Sequence, residues 1–135
     1  MYFEVTSRRN IVDSKGNDKT ITEKYLVENC QLCSEAEYKV TEELNGENDI
    51  VAVKQVNIKE FVNESTNDDE CIFIAVIESE TVDDEGGITA SKHTVGLYDT
   101  TLEKATTRLI DYMKQGLDDM KIISLKKTKL LGVLK

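Results

Sequence analysis

Two apolar stripes of the same spacing, 69 residues apart, constrain this chain more than anything else in it. Cys33, Ala36, Val40 and Leu44 form one, and Leu102, Ala105, Leu109 and Met113 form the other. Steps of three and four residues line up along one side of an α-helix, so each set marks a face that has to be buried. Charged positions follow the same offset, with Lys39 answering to Arg108 and Glu42 to Asp111.

The same elements recur around each stripe. Tyr2 to Val12 and Thr20 to Asn29 alternate as strands do, and the cluster Asp13 to Asp18, with its Gly16, turns the chain between them. Ser34 is placed to cap the first helix, with Glu37 completing a capping box, and Asn45-Gly46 to end it. Ile50 to Val62 reads as a third strand with Val51, Val53 and Phe61 facing inward. Beyond a polar stretch the order repeats. Cys71 to Ser79 is apolar on both faces and so central in a sheet, Asp83 to Gly87 is a hairpin turn, and Ile88 to Leu97 returns. Thr100 and Glu103 open a second helix, and Lys121 to Leu134 is a last strand that matches the third at an offset of 72.

A chain of 135 residues is long enough to bury a core without disulfide staples. The pattern predicts one α+β domain over residues 1–135, made of pseudo-repeats 1–62 and 70–135 with an acidic linker at 63–69. A single ββαβ unit has one helix over three strands, a thin core. Two such units would close into a two-layer sandwich of about six mainly antiparallel strands, with two helices on one side.

Net charge is −9, which opposes a general affinity for phosphate backbones. The charge is uneven. Residues 63–100 hold 10 acidic side chains and 1 basic one, whereas residues 101–135 hold 8 basic and 4 acidic. Such asymmetry either keeps the surface solvated or steers a partner. The opening residues lack the basic and apolar regions of a signal peptide, and the longest apolar run, Ile72 to Ile77, is too short for a bilayer. Three cysteines, an odd number, suit a reducing cytoplasm.

Candidate chemistry is sparse. Cys30-Gln31-Leu32-Cys33 is a CxxC at a strand-to-helix junction, but a zinc site would have to recruit both Cys71 and His93. Cys33 reads as core and Cys30 as incidental. His93, the only histidine, reads as an exposed strand residue. Asp83-Asp84-Glu85-Gly86-Gly87 lacks the spaced ligands of a calcium loop, and no glycine loop is built to cradle phosphate. No catalytic residue, metal or cofactor is therefore expected. Lys121, Lys126, Lys127 and Lys129, with Arg8 and Arg9, are the candidate binding residues for a partner. On an open sheet face, with Tyr2 or Phe3 stacking on bases, they would suit single-stranded nucleic acid. On an edge strand the lysines would simply block aggregation.

Met1-Tyr2-Phe3-Glu4-Val5, Lys24-Tyr25-Leu26-Val27, Ser34-Glu35-Ala36-Glu37, Val53-Lys54-Gln55-Val56-Asn57 and Ile123-Ser124-Leu125 with Lys129 together resemble an uncharacterised family. That family is a domain of unknown function found in Bacteroidetes and their tailed phages. The resemblance implies a phage or mobile-element source and no mechanism. The expected function is a non-catalytic interaction module that binds a protein partner or itself. Accessory single-strand binding and acidic mimicry of nucleic acid are the alternatives.

Overall fold

The computed structural model describes residues 2–44, 46, 48–116 and 119–135. Its elements are β1 (Tyr2–Val12), β2 (Asp18–Val27), α1 (Cys33–Glu43), β3 (Asp49–Val56), β4 (Glu60–Phe61), β5 (Cys71–Val82), β6 (Ile88–Asp99), α2 (Leu102–Lys114), β7 (Asp119–Lys127) and β8 (Leu130–Leu134).

Local chemistry sets the two hairpins. Gly16 and Gly86 take φ of +79° and +82°, a region that costs side-chain-bearing residues energy. Asp13 and Asp83 hold the turns by the same bonds. Each donates its N–H to the carbonyl four residues on, at 2.9 Å, and accepts two backbone N–H groups on Oδ1. This is a turn closed by a left-handed glycine, a geometry that feeds antiparallel strands with their native twist.

The first sheet has strand order β3-β1-β2-β8 and the second β4-β6-β5-β7. Within each, the hairpin is antiparallel, β3 and β7 add antiparallel to β1 and β5, and the short strands β8 and β4 add parallel to β2 and β6. Alternation then sorts the side chains. Phe3, Val5 and Val27 meet Ala36 and Val40 of α1, and Phe73, Ala75, Ile77, Val95 and Leu97 meet Ala105 and Leu109 of α2. Burying one such large side chain is worth about 1.5–3 kcal/mol. Ser7 is fully buried among them and is satisfied by the Asn48 amide at 3.1 Å. As its two-faced apolarity predicts, β5 lies inside its sheet.

Two compact units result. The first comprises Met1–Val56 and Lys129–Lys135, the second Asn57–Thr128. The fold is α+β with two helices, and its eight strands replace the six expected. The helices do not share one sheet: α1 packs on β1, β2 and β3, and α2 on β6 and β7. The expected strands Ile50–Val62 and Lys121–Leu134 each break in two. Their second pieces, β4 and β8, belong not to the sheet of the strand they follow, β3 or β7, but to the other one, where they pair in parallel with β6 and β2.

Several expected details shift. Neither Ser34 nor Thr100 caps a helix. Leu32 is the N-cap of α1 and offers no side-chain bond, whereas Thr101 caps α2 by accepting the Lys104 N–H at 3.2 Å. Cys33 and Leu102 are each the first residue of their helix and face solvent, so each buried stripe starts one turn later, at Ala36 and Ala105. Val51 is 46% exposed, because the register shift at Thr6/Ser7 makes Ile50, not Val51, follow Val53 on the face of Val5 and Ser7. Gly46 helps end α1 with φ of +71° and an N–H bonded to the Thr41 carbonyl, while its expected companion Asn45 lies outside the described residues.

The stretch 63–69 lies inside the second unit and is tied down. The Asn63 side chain both donates to and accepts from the Tyr98 backbone, at 2.9 Å each, prolonging the pairing of β4 with β6. The Glu70 carboxylate accepts the backbone N–H groups of Thr66 and Asn67, which hold its pKa below the usual value.

Candidate functional site

Both hairpins outrun the sheets that carry them. Among the described residues, β3 leaves β1 at Arg8 and β8 joins β2 only from Lys24 onward, so 9–12 and 18–21 pair only with each other. Among the described residues, β7 leaves β5 at Glu80 and β4 meets β6 only at Val95 and Gly96, which leaves 81–82 and 88–89 in the same state. Each hairpin thus ends in a two-stranded arm whose outer edges meet no other described strand. Such edges present free backbone N–H and C=O groups to any strand that meets them.

The arms carry exposed apolar side chains. Val12 is 66% exposed, and Val82 and Ile88, directly opposed across the second arm, are 71% and 70% exposed. Every residue from Glu80 to Lys92 is exposed. The arms also differ in charge. Residues 8–20 hold Arg8, Arg9, Lys15 and Lys19 against Asp13 and Asp18, whereas residues 80–90 hold Glu80, Asp83, Asp84 and Glu85 and no base. Val12, Val82 and Ile88 were not singled out by sequence reasoning. The available signal was the pattern Val-Asp-x-x-Gly, which occurs at Val12 and again at Val82, 70 residues on.

The six candidate basic residues are divided. Arg8, Arg9 and Lys129 belong to the first unit, and Lys121, Lys126 and Lys127 to the second. Arg8 is exposed at the base of the first arm, opposite Asp49 of β3, and Arg9 beside it is bonded to Glu23 at 2.5 Å. On β7, an edge strand, Lys121 pairs with Glu78 at 3.5 Å. Lys126 and Lys127 are exposed and adjacent, so they point to opposite faces. Lys129 lies in the connection between β7 and β8. Phe3 is 2% exposed in the first core and has no face to offer a base, and the Tyr2 hydroxyl reaches Glu28.

A family model described as Domain of unknown function (DUF4494) matches residues 1–135. The chain belongs to that family. No curated protein matches it. Both arms, with their turns, therefore fall within the DUF4494 domain rather than in an appendage to it.

The remaining candidate chemistry of the DUF4494 domain is dispersed. The CxxC is the reverse of the expected arrangement. Cys30 is buried in the first core, brought there by Asn29 at φ of +61°, and Cys33 is exposed. Asparagine is among the few residues that take that conformation readily. His93 is half-buried rather than exposed, because it opposes Ile77 on the helix-covered face. Its Nε2 is buried with no hydrogen-bond partner among the described residues. It borders a recess of about 360 Å³ lined by Asn57, Ile58, Lys59, Lys92 and Thr94, which include no thiol or carboxylate. Among the described residues no group of three or more His, Cys, Asp and Glu is placed to hold a metal ion, and no helix is long and apolar enough to cross a membrane.

Two polar contacts brace α2. Buried Asp99 accepts the Arg108 Nε–H at 3.1 Å and the Thr100 N–H at 2.8 Å, joining the helix to the end of β6. The Tyr112 hydroxyl donates to Glu60 of β4, and partial burial, reinforced by that bond, pushes its pKa up to about 12.

Proposed function

We propose that the chain is a non-catalytic interaction module, encoded by a phage or other mobile element, and that it makes contact through its two hairpin arms. The carrying observation is the exposure of Val12, Val82 and Ile88 on ribbons that no helix covers. Such side chains add nothing to either core, and their removal from water can drive association. Cys30, Cys33 and Cys71 are all free thiols, which suits work in a reducing cytoplasm.

A duplicated ββαβ unit accounts for there being two arms. In support, the Asp13 and Asp83 turns recur at an offset of 70, and so do the irregularities at Thr6/Ser7 and Val76/Ile77. The buried helix pairs Ala36, Val40 and Ala105, Leu109 recur at 69. The third strands recur at 72, since Val5 faces Val53 as Ala75 faces Leu125.

The test is a comparison of captured proteins between the wild-type chain and Val82→Asp/Ile88→Asp, with thermal unfolding as the control for folding. The reading expects a specific partner, or the chain itself, to be retained by the first and lost by the second at unchanged Tm. Equal retention by both, or none by either, ends it.

A further inference from the structure

The reading of the arms as contact elements can be taken one step further. We propose that they bind each other between copies of this chain: the basic first arm of one molecule lies along the acidic second arm of the next.

Three observations converge. The charges are complementary and unspent. Among the described residues, Arg8, Lys15 and Lys19 of the first hairpin have no ion-pair partner, nor have Asp13 and Asp18 beside them, which leaves an excess of one positive charge, whereas Glu80, Asp83, Asp84 and Glu85 of the second are unpaired acids with no base among them. Each arm also brings apolar area to the same place, Val12 on one and the Val82–Ile88 pair on the other. Finally, the outer edges of both arms meet no other strand among the described residues, so backbone pairing can follow once charge has brought them together.

The same charges reject the wrong pairings. Two second arms would set four carboxylates against four, whereas two first arms, which carry both signs, repel each other only through their small positive excess. Like-charge repulsion of this kind selects the mixed contact. A contact between unlike surfaces is heterologous, so it does not close as a two-fold dimer. It propagates as a ring or an open chain.

The experiment uses the full chain in sedimentation velocity across a concentration series, at about 50 mM and about 500 mM salt, a range over which exposed charges become screened. Two charge-reversed variants accompany it. One carries Arg8→Glu, Lys15→Glu and Lys19→Glu. The other carries Glu80→Lys, Asp84→Lys and Glu85→Lys, sparing Asp83 because it holds the turn. The wild type should exceed a dimer's mass as concentration rises at low salt, and fall back towards the monomer at high salt. Each variant alone should remain monomeric, and the two mixed should assemble again. That rescue cannot come from misfolded protein. A wild type that stays monomeric at low salt overturns the proposal, and so does a mixture that fails to assemble or a variant that assembles alone. The interaction-module reading has a separate readout. It fails only if Val82→Asp/Ile88→Asp changes nothing that the chain retains.

Discussion

Gly96 is the most sensitive test of how β4 docks on β6. A Cβ built there would lie 2.6 Å from Cε1 and Cζ of Phe61, and 2.9 Å from Cδ1. Ordinary contact begins near 3.4 Å, so the ring would have to retreat by about 0.8 Å. It has little freedom to do so. It lies against Tyr98 with centroids 5.4 Å apart, and its strand is pinned on either side by the bonds from Lys59 N–H to Thr94 and from Val62 N–H to Gly96, both 2.8 Å. Overpacking of this kind costs about 1–3 kcal/mol. Replacing a strand glycine returns about 0.5–1 kcal/mol of backbone entropy. Gly96→Ala should therefore lose up to about 2.5 kcal/mol, a fall of up to roughly 10 °C in Tm for a chain of this size. With Phe61→Ala already present the clash is gone and only the entropic gain remains. There Gly96→Ala should stabilise by about 0.5–1 kcal/mol. Urea unfolding of the four proteins, compared at constant slope, reads both signs. The same change in both backgrounds, or a stabilised single variant, would refute the steric account.

Two further outcomes follow from the turn and from α2. Asp83→Ala removes the acceptor of the Glu85 and Gly87 N–H groups, bonds of 3.0 and 2.7 Å. Amide exchange at those two residues should quicken by several-fold, for a loss of about 1 kcal/mol, with the global unfolding midpoint nearly unmoved because the arm lies outside the core; a midpoint that drops equally would show the arm to be part of the cooperative unit. Tyr112 should ionise near pH 12 rather than 10. Because its folded pKa is raised, its contribution to stability is whole below pH 10 and fades between 10 and 12, so the Tm gap between wild type and Tyr112→Phe should shrink over that window. Tyrosinate absorbance that gives no late-titrating group would contradict this.

Much of the fold was legible because its signals are local. The helix stripes, the Asp-to-Gly turns and the two-faced apolarity of β5 all depend on residues within a dozen positions of one another. What could not be read was non-local. Nothing in Asn57-Ile58-Lys59 marks the end of β3, since the break is imposed by the parallel partner that β4 finds in β6. The same holds for Thr128-Lys129 and β8. The cap assignments failed for a related reason. Thr100 and Thr101 are both competent caps by composition, and which one serves depends on where Asp99 and Arg108 fix the start of the helix.

The candidate contact surface was hidden by the scale at which charge was counted. Residues 1–62 hold more acids than bases, so the basic character of the first arm disappears in the total. It emerges only when the register shows that β3 leaves β1 at Arg8, separating the ribbon from the helix-covered sheet below it. The lysines of β7, by contrast, are conspicuous in sequence and less available in space, since one is paired and the other two point to opposite faces. Charge acts through the geometry that holds it, and on a hairpin that geometry is set by how far each neighbouring strand reaches. The two hairpins share a turn but differ in the charges beside it, and the same bonds hold both. Charge can therefore vary at Lys15 and Lys19 on one hairpin and at Asp84 and Glu85 on the other, all exposed, without touching either core.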